Sequence, residues 1–387
     1  MRTCMIIIFL ILVNTLSVIA SPSVSNTEIE QQLLETISTD HINQFISKIN
    51  QELSGDIPLL TTDTIRSIAV TGIHINWETM WQKVVYHFFH EITVNIHLMG
   101  KLLFLAVLCA VLKNLQTSFE RSAISTLSYS VCFIFMSSIA LASFYNALKL
   151  GSQTVDYMVG FMESLLPLLI SLLAAVGALT SATLFSPLML FVISSMSVIV
   201  KDLVLPLLFL TAALECLNYL SDTYRLSNLA GMLKQLSMIV LGFSLVLFIG
   251  FVTIQGAAGS VADGLTLRTA KYATATFVPV VGKMFADTVE LVMGASLVLK
   301  NAVGIFGVIV VFMICIFPII KLLSLILVIK ISGALVQPLG DEKMAKALDS
   351  IGNNLLLVFG AVLTVALMFF LSITMIIAAG SAAMMLR

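Results

Sequence analysis

The stretch "NAVGIFGVIVVFMICIFPIIKLLSLILVIKISGALV", residues 301–336, contains two lysines and no acidic residue. A transmembrane helix needs about 20 predominantly apolar residues to cross a hydrocarbon core of about 30 Å. Only helices and closed barrels satisfy every backbone polar group in that environment. The stretch therefore predicts membrane-crossing helix. Pro318 and Lys321 interrupt it, so both one span and two spans remain open.

The rest of the chain has the same character. Its 387 residues are 59% hydrophobic and 11% charged, and the mean hydropathy is +1.06. An ordinary soluble domain is about 45–50% apolar and about 25% charged. Long apolar runs recur from residue 98 to the end. We predict an all-α, polytopic helical membrane protein with about seven to nine spans in residues 98–387.

The apolar runs give approximate span boundaries. Residues 184–220 are too long for one span and are broken by "KDLVLP", which predicts a hairpin of two helices with Lys201 and Asp202 at its turn. Small-residue steps such as Gly256–Gly259 and Gly304–Gly307 favour close helix packing. The remaining predicted spans cover residues of about 98–116, 123–145, 157–178, 236–256 and 353–379.

The amino end differs from the apolar body. Residues 1–20 combine Arg2, the apolar run "MIIIFLILV" and small residues up to Ala20, which predicts a secretory signal peptide, with an uncleaved first helix as the alternative. Residues 21–97 hold all five histidines and both tryptophans. We predict a small extracytoplasmic helical segment there, ending in an amphipathic interfacial helix.

Basic residues predict which loops face the cytoplasm. The positive-inside rule and a secretory leader place the same groups in the cytoplasm. Residues 259–300 then lie on the opposite side despite their own basic residues. The groups predicted to be cytoplasmic are Lys113, Arg121, Arg225, Lys234, Lys330, Lys343 and Lys346.

Residues 259–300 form an unusually charged insert between apolar runs. Glycines precede it, and Pro279 followed by Gly282 predicts a bend between two amphipathic helices. These helices would lie on the membrane surface or enter it as a re-entrant pair. A solvated helix face is the plainer interpretation of the charges. The candidate pore or gating residues are Asp263, Arg268, Lys271, Pro279, Gly282, Lys283, Asp287 and Glu290.

Two other charges are candidate intramembrane residues. Glu215 and Lys321 each interrupt an apolar run. An ionisable residue inside a membrane span is costly and is a functional hypothesis by default. The alternative is snorkelling of the charge to the interface, which explains charges close to span ends. Coupling to an ion or solute is the function that Glu215 and Lys321 would carry.

The chain lacks the sequence signatures of the common enzyme classes. It has neither the GxxxxGK[ST] loop that holds nucleotide phosphates nor the GxSxG motif of hydrolases. His87 and His90 are spaced for one helix face, but no HExxH pattern or further ligand set accompanies them, so an interfacial helix is the better interpretation. A net charge of −1 gives no electrostatic case for nucleic acid. We predict that the chain is not an enzyme and that it has neither a cofactor nor a metal site.

Two strings resemble a known family. These are "GKLLFLAVLCAVLKNLQTSFE" at residues 100–120 and "GAAGSVADGLTLRTAKYATATFVPVVGKMFADTVELVMGASLVLKNAVG" at residues 256–304. Within the second, "LRTAKY" and "FVPVVGKMF" are specific rather than generically apolar. The chain resembles the stage III sporulation protein AE family of endospore-forming bacteria over nearly its whole length.

The resemblance implies a role but no catalytic residues. It implies a permease-like, multi-pass subunit in the mother-cell membrane around the forespore. Its partners would be other stage III sporulation membrane proteins and a forespore partner, with membrane lipid around it and an ATPase supplied by a separate subunit. Together they would form a channel or secretion-like complex needed for forespore development. A membrane scaffold for that complex and a stand-alone secondary transporter are the alternatives.

Overall fold

The computed structural model describes residues 39–53, 59–61, 64–65, 67–68, 77–118, 123–220, 226–277, 281–339 and 341–385. Every regular element in these residues is helical, which confirms the predicted all-α class. The predicted leader, residues 1–20, lies outside the described residues and stays a prediction. So does the extracytoplasmic placement of residues 21–97.

Eight α-helices organise the described residues. A π-helical segment, Ile199–Val204, joins the fourth to the fifth, and the 3-10 turn Gln337–Leu339 follows the seventh. The helices are α1 Asp40–Leu53, α2 Trp77–Ser118, α3 Ala123–Ala175, α4 Leu179–Val198, α5 Leu205–Leu220, α6 Ser227–Phe277, α7 Val281–Val336 and α8 Glu342–Met385.

Six stretches of the described helices are long and apolar enough to cross a membrane. The predicted count of seven to nine spans is not confirmed, because segments predicted as separate helices lie in single continuous helices. The predicted interfacial helix and first span are both in α2, and the spans at 123–145 and 157–178 are both in α3. The stretches are Trp81–Leu112, Leu127–Ala175, Pro187–Leu220, Ser227–Thr266, Leu291–Leu339 and Glu342–Ala379.

The predicted hairpin within residues 184–220 is wrong. The helix continues through the polar interruption because the backbone widens there into a π-turn, in which the N–H of Leu205 donates to the C=O of Val200. Such a turn accommodates Pro206, which has no N–H to donate. Lys201 does not cap a loop; its ammonium pairs with Asp156 of α3. The stretch at 301–336 is likewise part of the single helix α7.

Small residues allow the long helices to approach closely. A Cβ atom on Gly304 of α7 would lie 2.4 Å from Cγ1 of Ile377 on α8, and one on Gly307 would lie 2.5 Å from Cδ2 of Leu165 on α3. Gly256 of α6 contacts Met375 of α8 in the same way. The small-residue steps predicted at these positions are therefore helix contacts, as expected in a bundle.

Successive long helices alternate in direction around a central trio of α3, α7 and α8. The α7 and α8 helices make the most extensive contact, α2 packs on α7 and α3, and α6 packs on α8, α5 and α4. A continuous apolar core runs through all of them. The short amphipathic helix α1 lies against α3, where the ring of Phe45 covers Gly160.

The turn between α3 and α4 has a defined geometry. Gly177 has a φ of 90°, which glycine adopts without steric cost. The N–H of Ala178 donates to the C=O of Leu173, and the N–H of Gly177 donates to that of Ala174. This is the Schellman pattern that ends helices. After this turn α4 begins, and its first N–H groups have no acceptor within their own helix.

Candidate functional site

Glu215, near the end of α5, is held by side chains from two other helices. Its carboxylate accepts hydrogen bonds from the hydroxyl of Ser350 and, at 2.6 Å, from the amide of Asn354, both on α8. Its other oxygen lies 3.8 Å from the ammonium of Lys234 on α6. One carboxylate thus joins α5, α6 and α8.

The charge of Glu215 is compensated within the chain. Each of its three neighbours presents a hydrogen-bond donor, and Lys234 adds a positive charge. Burial of a charged group is tolerated when such partners are present. Asn354 is fully buried, and its Oδ1 atom accepts no hydrogen bond from the residues that the structure describes. The cluster therefore keeps one unused acceptor.

Lys321 of α7 belongs to a different polar contact. Its ammonium lies 3.7 Å from the carboxylate of Glu91 on α2. The amide of Asn95 donates to the hydroxyl of Ser324 at 3.2 Å, one turn farther along both helices. The two candidate intramembrane charges, Glu215 and Lys321, therefore lie in separate clusters, and the structure does not bring them together. Each has an oppositely charged partner on a neighbouring helix.

Asp263 of the charged insert is a helix cap. It is 1% exposed, and its carboxylate accepts hydrogen bonds from the N–H groups of Thr180 at 2.7 Å and of Ser181 at 3.1 Å. These N–H groups belong to the first turn of α4, where backbone donors have no partner within the helix. A negative charge there is also attracted to the positive end of the helix dipole, which stabilises the contact. Through these hydrogen bonds Asp263 links α6 to α4.

The other candidate residues of the insert are placed only by their backbone. Arg268 and Lys271 belong to the end of α6, and Gly282, Lys283, Asp287 and Glu290 to the start of α7. The described helix α6 ends at Phe277 and α7 begins at Val281, on either side of the predicted bend. Pro279, and the side chains of these charged residues, lie outside the described residues. Their pore or gating role stays a prediction.

Lys300 is a buried charge that sequence reasoning did not select. It is 0% exposed, and its ammonium donates to the backbone C=O of Ile377 on α8 at 2.8 Å. Among the described residues it has no carboxylate partner. Ser296, one turn earlier on the same helix, is also fully buried, and its hydroxyl has no hydrogen-bond partner there. The signal in the sequence was a single lysine within "GASLVLKNAVG".

Several further polar contacts lie near the start of α8. Lys330 of α7 donates to Asp349 and to Asn353, each at 2.8 Å. The hydroxyl of Tyr129 on α3 donates to Asp341 at 2.9 Å. Lys330 thus lies at the end of the bundle where α8 begins, and so does Lys234, through Glu215 and its α8 partners. That this end faces the cytoplasm stays a prediction.

An apolar groove opens between α2 and α7. It has a volume of about 370 Å³. Its lining is apolar and includes the methylene stem of Lys330, whose ammonium donates to Asp349 on α8. The groove does not provide a polar path through the bundle. It is lined by Phe88, Leu323, Ile326, Leu327, Lys330, Ile331 and Ala334.

The histidine pair on α2 is used for ring packing. His87 contacts the ring of Phe317 edge-on, and His90 stacks on Tyr86. Within the part of the chain that the structure describes, no group of three or more His, Cys, Asp or Glu side chains could hold a metal ion. The geometry of this helix is that of a packed aromatic surface.

Comparison with known proteins agrees with the specific strings in the sequence. The family model of stage III sporulation protein AE matches residues 60–380. The chain belongs to the stage III sporulation protein AE family. It is 36% identical over 373 residues to stage III sporulation protein AE of Bacillus subtilis (strain 168), covering 95% of this chain and 93% of that protein. No solved structure matches this AE-family chain.

Proposed function

We propose that this AE-family chain is the permease-like membrane subunit of a channel or secretion-like complex that links mother cell and forespore. The observation that carries the proposal is the set of six helices able to cross a membrane in a chain of a sporulation family. The complex lies in the mother-cell membrane around the forespore and is needed for forespore development. The resemblance to the family implies that its energy comes from a separate ATPase subunit, and the lack of a GxxxxGK[ST] loop in this sequence agrees with that.

The packing of the bundle favours a subunit over a complete transporter. The described helices share one continuous apolar core, and four of their ion pairs join neighbouring helices at separate places. A polar pathway would therefore form where this chain meets other stage III sporulation proteins. The insert at residues 259–300 is our candidate for that boundary, because its sequence carries five further charged residues between Asp263 and Lys300.

Two alternative functions assign the main role to different residues. In a scaffold, residues 259–300 dock neighbouring subunits and carry no transported species. In a stand-alone secondary transporter, Glu215 and Lys321 would couple an ion or solute. The separate locations of these two residues count against a single coupling site. A coupling site at Glu215 without Lys321 would still have a free acceptor, the Oδ1 atom of Asn354.

Cysteine accessibility in sporulating cells tests the proposal. Single cysteines are placed along residues 264–290 and treated with a membrane-impermeant thiol reagent, with and without the other stage III proteins. A subunit that lines a pathway gives modification with helical periodicity, and modification blocks forespore development. Protection that depends on partners, without any block, would support the scaffold. Solute uptake by vesicles that contain only this chain would support the transporter.

A further inference from the structure

One face of α6 is apolar and exposed over much of the length of the helix. Apolar side chains that are at least 40% exposed recur between residues 229 and 265, including Phe243 at 61% and Ile254 at 72%. The centre of the face is a row at helical spacings of three, four and seven residues. The members of this row, called here the α6 face, are Met232, Ile239, Phe243, Val246, Gly250, Ile254 and Val261.

The exposed stretch on α6 is longer than a bilayer can cover. Residues 229 and 265 are 36 steps apart, or about 54 Å at about 1.5 Å per residue. The hydrocarbon core is about 30 Å thick. A tilt of about 40°, at the upper end of the range for transmembrane helices, still leaves about 41 Å along the membrane normal. Part of this apolar surface therefore lies outside the hydrocarbon core, in the polar headgroup region or beyond it, where lipid tails do not cover it.

The α6 face carries no charge that would favour water. The stretch Ser227–Thr266 contains two charged residues, Lys234 and Asp263. Both are used inside the chain, Lys234 beside Glu215 and Asp263 at the start of α4. A partner for this surface must itself be apolar and uncharged over a similar length. The α6 face of a second copy meets both conditions.

We propose that two copies of this chain associate through their α6 faces around a two-fold axis parallel to the membrane normal. Gly250 lies at the middle of the row, and nothing lies within 4 Å of the position its Cβ would take. A small residue there lets two helices approach closely. In such an interface identical residues face each other, so one patch covers itself.

The area of the α6 face is sufficient for a specific contact. A strip about 54 Å long and about 10 Å wide, the width of a helix, amounts to roughly 540 Å² per copy. The two copies together bury roughly 1,080 Å², above the threshold of about 1,000 Å² for a specific interface. This association concerns the chain itself and does not depend on the channel function proposed above.

Disulfide scanning in membranes tests the proposal. The five native cysteines are replaced by alanine, and the full chain, expressed without other sporulation proteins, receives one cysteine at a time. Phe243→Cys and Ile254→Cys should give a band at twice the chain mass on oxidation. Phe104→Cys is the matched control, since Phe104 on α2 is 70% exposed. Equal cross-linking at residue 104, or none at 243 and 254, would overturn the proposal.

A bulky substitution gives an independent test on the purified full chain. Gly250→Ile should lower the dimer fraction in lipid nanodiscs at least tenfold. Gly100→Ile on α2 is the control, because Gly100 also has open space around it, and it should leave the dimer fraction unchanged. A chain that is monomeric at every lipid-to-protein ratio means that lipid or a different protein covers α6, and the proposal fails.

Discussion

The carboxylate of Asp263 in α6 accepts a hydrogen bond of 2.7 Å from the backbone N–H of Thr180 at the start of α4. A second N–H, that of Ser181, donates to the same carboxylate. The contact joins the first turn of α4 to the C-terminal third of α6. Asp263, which the sequence places in a charged insert, therefore has a structural role as the cap of α4.

Removal of this cap should destabilise the protein. Loss of a helix cap costs about 0.5–2 kcal/mol, and Asp263→Ala should fall at the upper end, because it leaves the N–H of the fully buried Ser181 without its acceptor. Equilibrium unfolding in mixed detergent micelles gives the free energy of unfolding.

Asp263→Asn is the matched control. It keeps an acceptor oxygen and should lose less than half as much stability as Asp263→Ala. Equal stability of Asp263→Ala and the unmodified protein would show that the hydrogen bonds to Thr180 and Ser181 contribute nothing.

Close helix contacts at glycine should be sensitive to one methyl group. A Cβ on Gly304 meets the stiff, β-branched Ile377 at 2.4 Å, whereas a Cβ on Gly256 meets the end of the flexible Met375 side chain. Overpacking costs about 1–3 kcal/mol. We expect Gly304→Ala to be the more destabilising of the two in the same unfolding assay.

Gly360→Ala supplies the comparison for these glycines. Gly360 lies in α8 with nothing within 4 Å of its missing Cβ. Alanine favours a helix by up to about 1 kcal/mol over glycine, so this variant should be neutral or stabilised. If Gly304→Ala behaved in the same way, the α7–α8 contact would be looser than the structure indicates.

Much of the fold was predictable from local sequence. Apolar runs of membrane length predict an all-helical bundle, and the steps at Gly256 and Gly304 predict close contacts, because both signals depend only on residue type and spacing. The hairpin predicted at Lys201 and Asp202 is wrong: the helix continues there, and Lys201 pairs with Asp156, 45 positions away. A turn and a π-bulge look alike when only neighbours in sequence are considered.

The site was predictable in part for the same reason. Glu215 was selected because a charge in an apolar run is conspicuous. Its hydrogen-bond partner Ser350 is 135 positions later in the chain, which no local pattern reveals. Asp263 was selected as a charge in a polar insert, but its role depends on Thr180, 83 positions earlier. Lys300 was missed because one lysine at the edge of an apolar run resembles a snorkelling residue.

The hydrogen bonds of Glu215 should matter more for stability than its ion pair. Lys234 lies 3.8 Å away, close to the upper limit for an ion pair, and both side chains are partly exposed, at 28% and 20%. We therefore expect the pair to contribute no more than about 1 kcal/mol. A buried donor left without its acceptor costs about 1–3 kcal/mol. Glu215→Leu, which strands the donors of Ser350 and Asn354, should therefore destabilise more than Lys234→Leu.

The double variant separates the two contributions of Glu215. If the ion pair is weak, Glu215→Leu with Lys234→Leu should lose nearly the sum of the two single losses in unfolding free energy. A coupling energy above about 1 kcal/mol would instead make the Glu215–Lys234 pair the dominant interaction. Spore counts for the same variants report whether stability and sporulation change together.

Lys300→Met is expected to be as stable as the unmodified protein or more stable. The ammonium of Lys300 is fully buried with one carbonyl acceptor, and replacing a buried ionic group by an apolar one of similar volume is often neutral or stabilising by about 1–4 kcal/mol. Lys300→Ala leaves a cavity and should be less stable than Lys300→Met by about 2–5 kcal/mol. If Lys300→Met folds at normal levels but abolishes heat-resistant spores, the buried amine is retained for function. If it unfolds instead, the hydrogen bond to Ile377 is a structural requirement and the expected stability order is wrong.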